Sequence, residues 1–166
     1  MRFISKLLLP ILLMTHPLCY ALEADRKEPI HFTAGAIEWD QLSHTGTFKD
    51  NVSFTQGSTQ LFASRGCTKG DDNNQFEEVM LYGEPQKQAH FITIPKPNEK
   101  QVDAYADKMV YLPQKKIIQL FGKVYITQGR YHFSAPYLEY NIEKKKIISH
   151  SDNQQKTTVV VDPEKS

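Results

Sequence analysis

From Pro29 onward, apolar and polar side chains alternate along the chain in short runs. Ile30-His31-Phe32-Thr33-Ala34, Asn51-Val52-Ser53-Phe54-Thr55-Gln56 and Lys123-Val124-Tyr125-Ile126-Thr127-Gln128 are three of them. Val79–Tyr82, Tyr137–Ile142 and Thr157–Val161 are others. A period of two sends successive side chains to opposite faces, so each run predicts a strand with one face buried. The runs are rich in β-branched and aromatic residues and are bounded by Gly, Pro, Asn or Asp. No stretch beyond residue 21 combines helical apolar spacing with caps. Turn signals recur roughly every 8–12 residues, the spacing of a sandwich or barrel. The pattern predicts an all-β, antiparallel fold.

The strands are written twice, at an offset of 72. Val52, Thr55, Gln56 and Gly57 recur as Val124, Thr127, Gln128 and Gly129, and Ala34 and Ala63 recur as Ala106 and Ala135. Apolar character follows the same offset at Ile30/Val102, Ile37/Met109, Trp39/Tyr111, Phe54/Ile126 and Leu61/Phe133. Both copies also slip parity at one place. Ile30, Phe32 and Ala34 lie on one phase and Ile37 and Trp39 on the other, as do Val102, Ala104 and Ala106 against Met109 and Tyr111. A one-residue slip turns side chains to the wrong face unless a break or bulge absorbs it. Two stacked β-modules burying one continuous apolar interior are expected, by the logic of repeat proteins. Gly57 and Gly129, each closing a Thr-Gln-Gly triplet, read as hairpin-turn glycines and not as a phosphate loop, since no further glycines or Lys-Ser/Thr follow.

The N-terminus has a different character. Arg2 and Lys6 precede the apolar run Leu7-Leu8-Leu9-Pro10-Ile11-Leu12-Leu13-Met14, and Cys19-Tyr20-Ala21 ends it on a small residue. This is the anatomy of a secretory signal peptide covering residues 1–21, and the run is far shorter than the roughly 20 residues a membrane helix needs. Residues 22–166 are the expected exported domain. Beyond residue 21 the only cysteine is Cys67. With no internal disulfide, stability must come from packing. Cys67 lies among Arg65, Gly66, Thr68 and Lys69, a loop-like context, and reads as an inert thiol.

Composition removes several functions. The whole chain of 166 residues carries 20 basic and 19 acidic side chains, a net charge of +1. That balance argues against a nucleic-acid binder, which has a clustered basic excess. His31, His44, His90, His132 and His150 fall at no zinc-ligand spacing, so neither metal nor cofactor is expected. His31 and His132 alternate with apolar neighbours and are expected on the exposed phase. Asp71-Asp72 lacks the spaced acidic ligands of a calcium loop. Lys144-Lys145-Lys146 reads as a solvated turn. A β-scaffold with an apolar interior and no evident catalytic constellation suggests a container for something hydrophobic.

Several ordered motifs carry a resemblance. Pro29 through Ala34, Trp39-Asp40, Asn51-Val52 through Thr55-Gln56-Gly57, Tyr82-Gly83-Glu84-Pro85, Ala106 through Tyr111, Val124 through Gln128, and Thr157 through Pro163 together resemble the LptA/OstA family. These are periplasmic bridge proteins of lipopolysaccharide transport. Two departures stand out: Asp50-Asn51-Val52 replaces the usual Gly-Asn-Val, and Gln86-Lys87-Gln88 displace the segment that reaches Phe91.

The resemblance implies a periplasmic, open, twisted antiparallel β-jellyroll (OstA-like) spanning residues 22–166, with repeat modules at about 29–100 and 101–163. It implies a non-enzymatic role: shielding the acyl chains of lipid A in an apolar groove. By matched motif the implied lining is Ile30, Phe32, Val52, Phe54, Phe91, Val124 and Ile126, and the parity of the strands adds Trp39, Met109, Tyr111 and Phe133. The implied partners are lipopolysaccharide, an inner-membrane anchored jellyroll protein with its ATP-driven exporter, an outer-membrane translocon, and further copies joined head to tail. Two alternatives are a small periplasmic carbohydrate-active enzyme on a β-scaffold and the membrane-anchored partner of the same fold.

Overall fold

A computed structural model describes residues 28–73, 75–151 and 155–164; the expected signal peptide, residues 1–21, lies outside them. The described chain contains twelve strands: β1 His31–Thr33, β2 Ala36–Asp40, β3 Thr45–Gln56, β4 Thr59–Gly70, β5 Phe76–Tyr82 and β6 Ala89–Thr93. They continue as β7 Val102–Ala106, β8 Lys108–Leu112, β9 Ile117–Gln128, β10 Tyr131–Asn141, β11 Lys146–His150 and β12 Thr158–Val161. One 3₁₀ turn, Pro113–Lys115, joins β8 to β9. Every pairing is antiparallel.

Four long strands, β3, β4, β9 and β10, bend midway and so belong to two layers. In the first layer the order is β2-β3-β4-β5-β8-β9-β10-β11; in the second it is β1-β3-β4-β6-β7-β9-β10-β12. The layers share a hinge line at the bends and face one another, as in a jellyroll whose two sheets splay from a common spine. Short strands then come in pairs, one for each layer: β1 with β2, β5 with β6, β7 with β8, and β11 with β12.

The bends fall opposite the two parity slips, which sit at the breaks between β1 and β2 and between β7 and β8. Lys49 pairs with Arg65 and Val52 with Ala63, leaving Asp50 and Asn51 opposite one residue; Phe121 pairs with Tyr137 and Val124 with Ala135, leaving Gly122 and Lys123 opposite Pro136. All four bulged residues have positive φ, at 63°, 53°, 74° and 45°. Bulges with left-handed residues bend and twist a strand, and they tolerate a proline that a regular ladder would exclude. Gly57 (φ 56°) and Gly129 (φ 60°) occupy the hairpin turns.

At each bulge the facing strand is broken as well, and its backbone approaches closely. Gly35 N–H donates to Asp50 O at 2.7 Å, and Asp107 N–H donates to Gly122 O at 3.0 Å. The two copies use one glycine and one aspartate in opposite order. A Cβ on Gly35 would lie 2.9 Å from Asp50 Cβ, and one on Gly122 would lie 2.5 Å from Asp107 Oδ2. Only one partner at each crossing has room for a side chain. Gly122→Ala is therefore expected to destabilise by about 1–3 kcal/mol through left-handed strain alone, and by more with the added clash. The exchange Asp107→Gly with Gly122→Asp, which copies the other crossing, is expected to recover most of that loss. Urea unfolding of the single and double variants measures the coupling.

One sequence expectation is corrected and another refined. Cys67 lies within β4, paired with Thr47 and Met80, and not in a loop. Arg65 and Lys69, on the same phase as Cys67, are exposed while Thr68 is buried, and Gly66 leaves room for Leu81, whose Cδ2 a Cβ there would meet at 2.7 Å. Burial, then the charge of Glu78, pushes the Cys67 thiol above its usual range, so it stays protonated and weakly nucleophilic. His132 lies on the outward phase, as expected, but is half-buried there, held between Tyr125 Oη at 3.1 Å and Asp162 Oδ2 at 2.9 Å.

Candidate functional site: the apolar interior between the layers

The facing surfaces of the two layers are built from unbroken cross-strand rows. In the second layer one row runs Phe32, Phe54, Leu61, Phe91, Ala104, Ile126, Phe133 and Val159, each residue paired with the next. In the first layer one row runs Ile37, Phe48, Gly66, Leu81, Met109, Leu120, Leu138 and Ser149. A parallel row runs Trp39, Gly46, Thr68, Val79, Tyr111, Ile118, Tyr140 and Ile147. Side chains of one phase stack across all strands because registers are offset by whole residue pairs.

The structure places Val52, Phe54, Phe91, Met109, Tyr111, Val124 and Ile126 in this interior, each buried. Ile30, Phe32 and Phe133 pack against it from its margins, half-buried. Phe91 reaches the interior although the intervening Gln86-Lys87-Gln88 differ from the resembled motif. Trp39 belongs to the same face but is 47% exposed, its ring 5.9 Å from that of Phe76. The reason is topological: β2 pairs with β3 alone, so nothing covers its far side among the described residues.

The layers touch through their aromatic side chains. Phe32 stacks on Phe48 with centroids 4.7 Å apart and meets Phe76 at 5.3 Å, and Phe54 meets Tyr111 edge-on at 5.9 Å. The interior is thus closed upon itself, apolar against apolar. The backbone hydrogen bonds run within each layer, so parting the layers exchanges side-chain contacts while leaving the ladders of each layer paired.

Residues missing from the sequence-based lining include Phe48, Leu81, Leu120, Leu138 and Tyr140, all at most 2% exposed. Phe48 and Leu120 are 72 apart, so extending the repeat toward the N-terminal half of each long strand would have found them. Tyr140 has a different interest. Its buried hydroxyl has no hydrogen-bond partner among the described residues. Burial, with the nearby Glu99 carboxylate, pushes its pKa up to about 12. The phenol therefore stays neutral, a single polar atom at the edge of an apolar surface.

At the open side of the layers, away from the bends, two cavities differ in character. One, of about 300 Å³, is lined by Ile30, Gln56, Gln75, Phe76, Tyr111 and Gln114 with Pro113, and carries no charged group. The other, of about 840 Å³, lies toward the C-terminal strands and is lined largely by charged side chains. Among the described residues no cluster of His, Cys, Asp and Glu is placed to hold a metal ion.

Residues 31–146 match the family described as LptA/(LptD N-terminal domain) LPS transport protein. The chain belongs to that family. It is 28% identical over 145 residues to the lipopolysaccharide export system protein LptA of Escherichia coli strain K12, covering 87% of this chain and 76% of that protein. It is 26% identical over 127 residues to LptH of Pseudomonas aeruginosa, covering 76% of this chain and 71% of the relative. The solved structure of LptH, described as the LptA-homologous periplasmic component of a lipopolysaccharide transport device, superposes with a TM-score of 0.77 at 22% identity. That match covers 84% of this chain and 99% of LptH. The OstA-like jellyroll fold expected from the resemblance is the fold observed.

Proposed function

We propose that this protein is a periplasmic lipopolysaccharide carrier, shielding lipid A acyl chains between its two layers as part of the bridge from inner to outer membrane. The observation that carries this reading is the alignment of Phe32, Phe54, Phe91, Ile126 and Phe133 in one inner row that crosses the whole molecule. Each buried CH₂ of an acyl chain gains about 0.8 kcal/mol over exposure to water. Several chains on one lipid make free diffusion through an aqueous compartment prohibitive, and a continuous apolar surface removes that barrier without bond chemistry. The role is accordingly non-enzymatic. Acyl chains replace the Phe32–Phe48 and Phe54–Tyr111 contacts when the layers part, one apolar contact for another. The energy for directional transfer comes from an ATP-driven exporter of the inner membrane, and similar jellyroll domains of the inner-membrane partner and the outer-membrane translocon cap the two ends. The repeat modules, at about 29–100 and 101–163, supply the two halves of the trough.

The test is phase-resolved photocrosslinking in cells. Benzoylphenylalanine at Phe54 or Ile126 is expected to capture lipopolysaccharide, and at the outward neighbours Ser53 or Tyr125 to capture little. Equal capture on both phases would overturn the reading.

A further inference from the structure

We propose that the charged cavity at the mouth of the layers is a phosphate-recognition site for the lipid headgroup, built by Lys100 and Arg130. The inference rests on the lipid-carrier reading and deepens it. A lipid whose acyl chains lie between the layers must leave its polar head at the open side. Of the two cavities there, only the larger offers cations. Its volume of about 840 Å³ falls within the range that encloses an organic ligand of moderate size.

The cavity joins both layers. Glu99 and Lys100 come from the β6–β7 loop, Arg130 from the β9–β10 hairpin, Asp162 from the segment after β12, and Lys145 from the β10–β11 turn on the opposite layer. Three cations face three carboxylates, Glu99, Asp162 and Glu164, but the charges are not equally committed. Lys145 Nζ donates to Glu99 Oε1 across the mouth, which cancels that pair. Asp162 Oδ2 is held at 2.9 Å by His132 Nε2, and Glu164 lies on the exposed tail beyond β12. Neither Lys100 nor Arg130 has a carboxylate partner among the described residues; Arg130 lies over the Tyr131 ring, 5.6 Å from its centroid.

Local geometry brings the two cations together. Gln128 Nε2 donates to the Lys100 carbonyl at 3.2 Å, tying the loop to the hairpin. The Lys100 side chain then crosses over Gly129, where an added Cβ would stand 3.4 Å from its Cγ, next to Arg130. An ammonium and a guanidinium lining one cavity suit a phosphate monoester: the guanidinium can donate two parallel hydrogen bonds and the ammonium adds a point charge. The diglucosamine phosphates of lipid A are that chemistry.

The experiment measures binding of purified protein to lipid A and to dephosphorylated lipid A with the same acyl chains, at low salt. The unaltered protein is expected to bind the phosphorylated form at least tenfold more tightly. Lys100→Gln with Arg130→Gln is expected to lose that preference and to keep the affinity for dephosphorylated lipid, which also reports intact folding. Excess inorganic phosphate is expected not to displace bound lipid A. Equal binding of the two lipids by the unaltered protein, or an unchanged preference in the double variant, overturns the site while leaving the carrier function standing. Displacement by inorganic phosphate would overturn the headgroup assignment. Failure to bind either lipid would overturn the carrier reading itself.

Discussion

Phe54→Ala is expected to lower the free energy of unfolding by about 3–5 kcal/mol, the range for deleting a fully buried aromatic ring. Phe54 is 0% exposed, paired with Phe32 and Leu61 within its layer, and in edge-on contact with Tyr111 of the other. Its removal leaves a void bounded by two sheets held in register by their own ladders, which limits collapse around the void. With a denaturant slope of about 2 kcal/mol per molar, the urea midpoint falls by about 2 M at unchanged slope. Ser53→Ala, one residue away on the outward phase, is expected to change stability by less than about 0.5 kcal/mol. A loss below 1 kcal/mol for Phe54→Ala would mean that water already fills the space between the layers.

The second large effect concerns the sheet edges. Among the described residues β12 pairs with β10 alone, and β1 and β2 pair with β3 alone, so each end of the molecule exposes an unpaired strand edge. Such edges recruit further strands. The two ends differ in sequence, so we propose that one end joins the other of the next copy, a heterologous contact that would extend the trough from copy to copy. Parity identifies the free donors. Asp162 N–H bonds Arg130 O, one residue before β10, so in an antiparallel ladder the N–H groups of Val160 and Thr158 point the same way and those of Val159 and Val161 point outward. Val159→Pro with Val161→Pro removes only outward donors, a placement that an edge strand tolerates. The unaltered protein is expected to self-associate with rising concentration in light scattering, and the double variant to remain folded, with a melting temperature within a few degrees, but to stay monomeric. Unchanged association would assign the contact to another surface. Val160→Pro, which removes a donor to β10, is expected to destabilise the strand itself.

The membrane-anchored alternative turns on residues 1–21, which lie outside the described residues. No helix among the described residues is long and apolar enough to cross a membrane. The relatives are transport proteins, and the Cys67 thiol, raised by burial, is a poor nucleophile. Reactivity toward a thiol reagent is therefore expected only at high pH.

Much was legible in the sequence because its signals are local. Alternation at period two set the strands and the inward phase, so the eleven residues expected to line a groove share the inner face, with Trp39 half exposed at its edge. The repeat at an offset of 72 carried the parity slip, which required a break or bulge; it falls at the breaks between β1 and β2 and between β7 and β8, opposite the bulges at Asp50-Asn51 and Gly122-Lys123. What the sequence could not supply depends on which strands meet. Cys67 looked like a loop residue because a polar strand segment with a packing glycine has no local signature distinct from a turn, even though Thr68 within it points inward. Phe48, Leu120, Leu138 and Tyr140 became one surface only when the first layer set its register. Trp39 stayed half exposed because it lies at an edge, a property of strand order and not of its neighbours in sequence. Lys145 and Glu99, 46 residues apart, meet because two turns on opposite layers are brought to the same mouth. Local alternation fixes which way a side chain points; only the long-range pairing of the bent strands decides what it faces.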